Sequence, residues 1–165
     1  VIVDFGSNIG ISAAYFLTRN AAAYTYLFEP LPSNVAKLKD NLRQFEGRFE
    51  VHQAAVGTSD GEVEFAWEES GRYGGVGAGH GNTLTVPLVN SRNVLEEAIE
   101  KHGKIDILKI DIEGLEAAVI ENIPVEQARK IKKLYVEYTF DRNPLAETHD
   151  YHDYGPIAQF TLRTV

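Results

Sequence analysis

Short apolar segments alternate with helical patterns at the start of the chain, and this alternation limits the possible folds more than any other feature. Residues 1–5 are mostly β-branched or aromatic and stop at Gly6, which predicts a buried strand. Apolar residues then recur at helical spacing from about Asn8 onward. The next apolar segment, 24–28, ends at Glu29-Pro30, where the proline pushes the preceding residue to extended geometry. This alternation with short connections predicts a parallel sheet that helices cover on both faces.

A second helical pattern and further strands extend the same arrangement. Ser33 is the predicted cap of the second helix, and Gly47 lies beyond its end as a stop signal. The next strand is predicted over 49–56. In the second half of the chain, helices are predicted over 92–102 and 115–122, and strands over 105–112, within 131–140 and, at an edge, over 160–165.

The middle of the chain departs from the alternation. Turn residues at 58–61 precede a period-two pattern over 62–67, which predicts a strand at the edge of a sheet. Residues 71–81 contain six glycines, and we expect them to form a loop rather than a regular element. Strand character returns over 83–89. The fold class is therefore α/β, an open and mostly parallel sheet with a strand and glycine-loop insertion.

Composition excludes several kinds of function. The chain has 165 residues, no cysteine and a formal net charge of −8. The lack of cysteine excludes a disulfide framework, a thiolate zinc site and a cysteine nucleophile. The negative charge argues against a protein that wraps nucleic acid or docks on an anionic membrane. No apolar run approaches the ~20 residues of a membrane span and no signal peptide is visible, so we expect a single globular domain in the cytoplasm.

Polar residues follow several of the predicted strands, where the ligands of open parallel sheets bind. The first strand leads into Asp4-Phe5-Gly6-Ser7-Asn8-Ile9-Gly10. A dinucleotide fingerprint, G-x-G-x-x-G, would need glycine at positions 6, 8 and 11, but the chain has Asn8 and Ile11. The dinucleotide interpretation therefore fails at two of three positions.

A different nucleoside ligand fits these strand ends. Gly6 and Gly10 let a ligand approach the backbone closely, and the helix N-terminus behind them offers free amides to an anion such as a carboxylate. Glu29, at the end of the second strand, can accept both hydroxyls of a ribose. A ribose, a carboxylate and surrounding acidic groups together suit S-adenosylmethionine, whose sulfonium is positive.

Four segments, taken in order, carry a family resemblance. They are Asp4-Phe5-Gly6-Ser7-Asn8-Ile9-Gly10, Phe28-Glu29-Pro30, Ala54-Ala55-Val56-Gly57 and Leu108-Lys109-Ile110-Asp111-Ile112-Glu113-Gly114-Leu115-Glu116. From Val1 to about Phe140 the chain resembles the FkbM family of S-adenosylmethionine-dependent methyltransferases. The resemblance implies a Rossmann-like class I methyltransferase sheet with core order 3-2-1-4-5. It also implies methylation of a hydroxyl on a small molecule, sugar or lipid. Because this family usually has sequence before its first strand and the chain contains no methionine, we expect the natural protein to extend before Val1.

The candidate site residues fall into two groups. The cofactor-binding candidates lie at the strand ends or in the turn near position 60 and are Asp4, Gly6, Ser7, Asn8, Gly10, Glu29, Ala55 and Asp60. An alcohol is a poor nucleophile at neutral pH, so a general base is expected to help. The candidates for this base are, in order, Asp111, Glu113 and His80, the last of which would act from a mobile glycine loop. No metal is needed for this chemistry.

Two further groups have structural interpretations. Lys109 lies in an apolar strand and needs a partner, for which Glu137 on the next strand is the candidate. The segment 149–154 has the residue types of a metal cluster, but it offers no further ligands at a recognisable spacing, so no metal site is predicted there.

Two other functions remain open at this point. A nucleic-acid methyltransferase shares the fold, but the acidic charge and the sequence Asp111-Ile112-Glu113-Gly114 disfavour it. A non-catalytic partner subunit that binds S-adenosylmethionine would have identical cofactor contacts. Only turnover of a small hydroxylated acceptor separates this possibility from an enzyme.

Overall fold

The computed structural model describes residues 1–68, 74–76 and 81–163, which form two β-sheets with helices packed against them. In chain order the elements are β1 (Ile2–Phe5), α1 (Ile11–Arg19), β2 (Thr25–Phe28), α2 (Pro32–Leu42), a 3₁₀ turn (Arg43–Phe45), β3 (Phe49–His52), β4 (Ala55–Gly57), β5 (Gly61–Trp67), β6 (Gly74–Val76), β7 (Asn82–Asn90), α3 (Ser91–His102), β8 (Ile107–Ile110), α4 (Glu116–Glu121), α5 (Val125–Ala128), β9 (Lys133–Val136), β10 (His149–Asp153) and β11 (Ala158–Leu162).

The larger sheet has the strand order β10-β11-β9-β8-β1-β2-β3. Its five strands from β9 to β3 are parallel, and β11 and β10 add an antiparallel hairpin. Numbered along the chain, the parallel part has the order 3-2-1-4-5, as predicted. The central strands are buried on both faces, which explains why they read as continuous apolar runs instead of alternating patterns.

The predicted strand over 49–56 is in fact two strands in two different sheets, so this prediction is wrong. β3 ends at His52 and is followed by a tight turn, in which the N–H of Ala54 donates to the His52 carbonyl at 3.0 Å. β4 then pairs with β7 in the smaller sheet, where Ala55 packs in a cluster with Phe65. The sequence from 49 to 56 does not reveal such a turn, because it contains no glycine or proline that would mark one.

The smaller sheet has the order β4-β7-β5-β6. The strand predicted at an edge, β5, lies between β7 and β6, so its edge placement is wrong. The predicted loop 71–81 contains β6 at 74–76, which pairs with the end of β5. At Gly74 a Cβ atom would lie 2.7 Å from the Phe65 ring, so glycine allows the two strands to pair closely.

The first two helices begin at different residues from those predicted. Helix α1 starts at Ile11 instead of about Asn8, because Gly6, Asn8 and Gly10 all adopt positive φ angles in the preceding turn. Ser33 does not cap α2. The helix begins at Pro32 with Leu31 as its N-cap residue, which places proline at the first helical position, where its missing N–H costs nothing.

The C-terminal part contains elements that the sequence did not reveal. The strand predicted over 160–165 is β11, which lies between β9 and β10 instead of at an edge. The edge is β10, which was not predicted, and neither was the short helix α5. Buried Ala158 and Phe160 alternate along β11, so its inner face packs against the core.

Two apolar clusters cover opposite faces of the larger sheet. One joins α1 and α2 to the sheet through Leu17, Leu27, Leu38 and Leu42, and the other joins α3 and α4 to it through Leu95, Val119 and Ile120. Among the helices of the described residues, none combines the length and the apolarity that crossing a bilayer requires. These layers leave the carboxyl ends of the parallel strands open.

Candidate functional site

A cavity of about 300 Å³ opens at the carboxyl ends of the parallel strands. The turn after β1 contributes Gly6 and Asn8, and the end of β2 contributes Phe28 and Glu29. Opposite them, the wall is built from β4, β5, β6 and the residues that follow β8 and β9. The size and the position are those of a small-molecule site in an open α/β sheet.

The turn after β1 depends on glycine because it touches the end of β8. Gly6 has φ +80°, and a Cβ atom there would lie 1.7 Å from the carbonyl oxygen of Asp111. Asn8 also adopts a left-handed conformation, with φ 49°, which asparagine tolerates better than most residues. Gly10, with φ +83°, is the N-cap residue of α1 and has no side chain to cap the helix. The first amides of α1 are therefore free to meet an anion.

Ser7 holds this turn in place and does not line the main cavity. Its hydroxyl donates to the carbonyl of Asp4 at 2.9 Å and accepts from the N–H of Phe28 at 3.1 Å. Because both bonds go to the backbone of β1 and β2, Ser7 positions the turn against the neighbouring strand.

Glu29 lies in the cavity wall with a side chain that is almost fully buried. One carboxylate oxygen accepts from the N–H of Asn8 at 2.9 Å, and the other accepts from the N–H of Leu31 at 3.0 Å and from the amide of Asn34 at 3.2 Å. Burial raises the pKa of Glu29, although these three hydrogen bonds act in the opposite direction. A carboxylate has about four acceptor positions. Glu29 therefore keeps about one for a ligand, fewer than the two that the sequence suggested.

Lys109 is the centre of a charged cluster behind the turn. Its ammonium lies 3.2 Å from Asp4 Oδ1 and 3.0 Å from Asp111 Oδ2, and it donates to the carbonyl of Gly6 at 3.1 Å. Burial alone would lower the pKa of Lys109, but the charges of Asp4 and Asp111 outweigh burial and raise it. The predicted pairing of Lys109 with Glu137 is wrong, because the two aspartates are nearer partners.

Asp4 contacts the rest of the cluster and not the main cavity. Its side chain is fully buried, and burial raises its pKa even though Lys109 opposes this effect. Asp4 thus supports the turn through Lys109 instead of reaching the cavity itself.

Three carboxyl groups lie on the β8 and β9 side of the cavity. Asp111 and Glu113 follow β8, and Glu137 follows β9. The carboxyl of Glu137 hydrogen-bonds that of Asp111, and this bond, together with burial and the charges of Asp111 and Glu113, raises the pKa of Glu137 to about 7. From the sequence, Glu137 was predicted only as a partner for Lys109, because the register of parallel strands cannot be derived from single residues.

Glu113 reaches the cavity although the strand does not continue to it. Regular strand geometry ends at Ile110, and Glu113 has φ 57°, so the two-residue alternation of a strand does not relate Glu113 to Asp111. Glu116 holds the turn by accepting from the N–H groups of Ile112 and Gly114, both at 2.9 Å. Strand β6 lies directly over this turn, since a Cβ atom on Gly75 would be 2.5 Å from the Glu113 carbonyl oxygen.

The remaining candidates lie in different places. Ala55 is buried and lines the cavity. Asp60 does not line it, because its carboxylate accepts from the N–H of Asn90 at 2.8 Å and from the Asn93 amide at 2.9 Å. Asp60 thus makes the contacts of a structural turn aspartate, and its role in holding a cofactor stays a prediction. His80 lies outside the described residues.

A second cavity adjoins the first on the side of α1 and α2. The two share Gly6, Asn8, Asn34 and Asp111 in their linings, and the second is also lined by Ser12 and Lys37. The start of α1 and a lysine side chain give this second cavity a positive character.

In the segment 149–154, residues His149–Asp153 form β10, and His149 is part of the core. His149 is fully buried and its two ring nitrogens contact the Ile131 carbonyl at 2.9 Å and the Thr148 hydroxyl at 2.8 Å. Burial lowers the pKa of His149. Within residues 1–68, 74–76 and 81–163, no three His, Asp or Glu side chains are grouped so that they could hold a metal ion.

Comparison with known proteins agrees with this architecture. A family model described as the methyltransferase FkbM domain matches residues 4–159, nearly the whole chain. The chain belongs to the FkbM methyltransferase family. A solved structure of methyltransferase FkbM from Methylobacillus flagellatus superposes on 97% of this FkbM chain and 42% of its own with a TM-score of 0.63, at 17% sequence identity. This confirms the class I methyltransferase fold.

Two curated relatives of this FkbM chain match at lower coverage. The 2-O-methyltransferase NoeI of Sinorhizobium fredii is 24% identical over 84% of the chain and 63% of its own length. The hexuronic acid methyltransferase AglP of Haloferax volcanii is also 24% identical, over 74% of the chain and 49% of its own length. The chain thus spans about half to two thirds of the length of these relatives.

Proposed function

We propose that this protein transfers a methyl group from S-adenosylmethionine to a hydroxyl group of a sugar or another small molecule. The observation that carries the proposal is the cavity in which a nucleoside-sized space beside Glu29 meets a group of carboxyls at Asp111. The first part suits the adenosine of a cofactor, and the second suits an acceptor from which a proton must be removed.

The residues around Glu29 fit the nucleoside part of the cofactor. Glu29 has about one acceptor position left for a ribose hydroxyl. Phe28, Leu31 and Ala55 provide apolar surface beside it for the adenine. The free amides of α1 and the ammonium of Lys37 in the second cavity suit the carboxylate of the methionine part.

The cofactor supplies a methyl group on a positively charged sulfur. The residues of this chain contribute by binding, orientation and proton removal. Holding the acceptor oxygen in line with the methyl group at near-attack distance accounts for much of the expected acceleration. Val76 of β6 and Phe65 of β5 line the cavity with apolar side chains and help to exclude water.

A hydroxylated sugar is the acceptor class that we favour. NoeI is named for 2-O-methylation and AglP for a hexuronic acid, and both names are consistent with sugar acceptors. The net charge of −8 disfavours nucleic acid as the acceptor, because its phosphates and the acidic protein would repel each other. The same fold carries many chemistries, so the acceptor must be tested directly.

The test has two arms. Calorimetry with S-adenosylmethionine, S-adenosylhomocysteine and NAD measures the cofactor, and we expect binding of the first two only. Transfer of a radiolabelled methyl group to methyl β-glucoside and methyl β-glucuronoside measures the reaction. Binding of S-adenosylhomocysteine without transfer to either glycoside would contradict a sugar hydroxyl acceptor and favour a non-catalytic subunit. Binding of NAD alone would contradict the cofactor.

A further inference from the structure

Three carboxyl groups face the acceptor side of the cavity, and their surroundings differ. Asp111 contacts the ammonium of Lys109 at 3.0 Å, and Lys109 is held in turn by Asp4 and the Gly6 carbonyl. One carboxylate oxygen of Asp111 is therefore already paired with Lys109. Glu137 is exposed at the mouth of the cavity, where an acceptor arriving from solvent meets it.

Glu137 has a fixed backbone and a defined partner. Its N–H donates to the Ile110 carbonyl of β8 at 3.0 Å, which holds the residue against the strand that carries Asp111. The carboxyl groups of Glu137 and Asp111 hydrogen-bond each other. The neighbouring carboxyl of Asp111 disfavours the ionised form of Glu137 and so raises the pKa of Glu137.

We propose that Glu137 is the general base that removes the proton of the acceptor hydroxyl, and that Asp111 is a positioning residue that holds its carboxyl in place. This inference rests on the proposed methyl transfer. It differs from the sequence analysis, which put Asp111 first, because the structure turns Asp111 toward Lys109.

The step balances without a further reactant. The acceptor O–H bond breaks, and its proton goes to the ionised carboxyl of Glu137. The oxygen electron pair forms the new bond to the methyl carbon, and the electrons of the broken carbon–sulfur bond remain on sulfur as a neutral thioether. After product release, Glu137 loses the proton to solvent, to which it is exposed.

The charges around Glu137 make it suitable for this task at neutral pH. The hydrogen bond to Asp111, burial, and the negative charges of Asp111 and Glu113 raise the pKa of Glu137 to about 7, whereas Lys109 lowers it by a smaller amount. A base whose pKa lies near the working pH combines a usable ionised fraction with adequate basicity.

The experiment compares Glu137→Gln and Asp111→Asn with Glu100→Gln, a matched change on the exposed side of α3. Methyl transfer to methyl β-glucoside is measured from pH 5 to 9, and S-adenosylhomocysteine binding confirms that each variant is folded. We expect Glu137→Gln to lower turnover by about 10²-fold or more and to remove the rise of turnover with a midpoint near pH 7. Asp111→Asn should keep more activity and move the midpoint to lower pH, since it removes the bond that raises the pKa of Glu137.

A second measurement does not depend on the acceptor. Carbon-13 spectra of protein labelled at its glutamate carboxyls give the midpoint for Glu137 directly, which is identified by its loss in Glu137→Gln. A midpoint near 7 that falls in Asp111→Asn supports the proposal, and an ordinary glutamate midpoint in the parent protein overturns it.

Two other results also overturn the proposal. In one, Glu137→Gln transfers methyl groups at the parent rate while Asp111→Asn does not. In the other, chelator abolishes turnover and Mg²⁺ restores it, so that the carboxyls hold a cation. Failure of the parent protein to bind S-adenosylhomocysteine would instead count against the proposed function, since neither substituted residue is assigned to cofactor binding.

Discussion

The ammonium of Lys109 lies 3.2 Å from the carboxylate of Asp4, whose side chain is fully buried. Lys109→Met leaves that carboxylate without its cation. We expect the free energy of unfolding to fall by about 3 to 5 kcal/mol at neutral pH, the usual cost of breaking a buried pair. Urea denaturation measures this cost. Lys132→Met, which removes an exposed ion pair with Asp106, is the control and should destabilise the protein much less than Lys109→Met. Equal losses in both variants would contradict the structural role of Lys109.

Gly6→Ala tests the contact between the β1 turn and the end of β8. A Cβ atom would lie 1.7 Å from the Asp111 carbonyl oxygen, so the strand end has to move. We expect S-adenosylhomocysteine binding to weaken by more than about tenfold and the protein to be destabilised. Gly47→Ala is the matched control, because Gly47 has nearly the same φ angle, +81°, but no atom near its Cβ position. It should cost only the strain of the left-handed conformation, about 1 to 2 kcal/mol. Similar binding by the two variants would remove the close approach as the explanation.

Glu29→Ala tests the nucleoside part of the site. The change removes a ligand acceptor and also the acceptor for the N–H groups of Asn8 and Leu31. We expect S-adenosylhomocysteine affinity to fall by about 1 to 3 kcal/mol, measured by calorimetry. Glu29→Gln keeps the shape and two of the acceptor positions, so it should lose less. An affinity that stays at the parent value in Glu29→Ala would mean that Glu29 only supports the turn.

Asp60→Ala tests whether Asp60 supports the fold, as its contacts indicate, or holds the cofactor, as the sequence predicted. Because Asp60 binds Asn90 and Asn93 outside the cavity, we expect unchanged cofactor affinity and a loss of about 1 kcal/mol in stability. Calorimetry and thermal unfolding check the two parts. A cofactor affinity that drops tenfold would restore Asp60 to the cofactor site.

Glu137 links stability to pH. Its pKa in the folded protein is raised from an ordinary 4.5 to about 7, so between these pH values the folded state binds this proton more tightly than the unfolded state. The contribution of Glu137 to stability is therefore fully present below about pH 4.5 and is lost as the pH rises through about 7. Glu137→Gln removes this dependence. Its stability relative to the parent should increase between pH 5 and 8 in urea denaturation, and a constant difference would contradict the raised pKa.

The parallel strands themselves were predictable because buried apolar segments such as 105–112 and 24–28 are separated by clear stop signals, whereas their order in the sheet was expected only from the family resemblance. The turn at His52 and Ala54 was not predictable, since no glycine or proline marks it and the choice of sheet depends on the distant strand β7. In the site, the positions of Gly6 and Glu29 at the ends of the first two strands were predicted from local sequence patterns. The link from Glu137 to Asp111 depends on the register of β8 with β9, which places Ile110 opposite Val136 and which no local pattern specifies.

Gly57 and Asn90 are paired neighbours in β4 and β7 of the smaller sheet, so the chain between them begins and ends at almost the same point. Near the start of this segment, the carboxylate of Asp60 accepts hydrogen bonds from Asn90 and Asn93, which lie at its end and just beyond it. Residues 58–89 thus form an insertion whose two ends lie next to each other. Exchange of this insertion between relatives would replace the residues of β5 and β6 that line the cavity and leave Glu29 and Glu137 unchanged, so under the proposed function the preference for an acceptor can change while the residues proposed for the ribose and for the base stay the same.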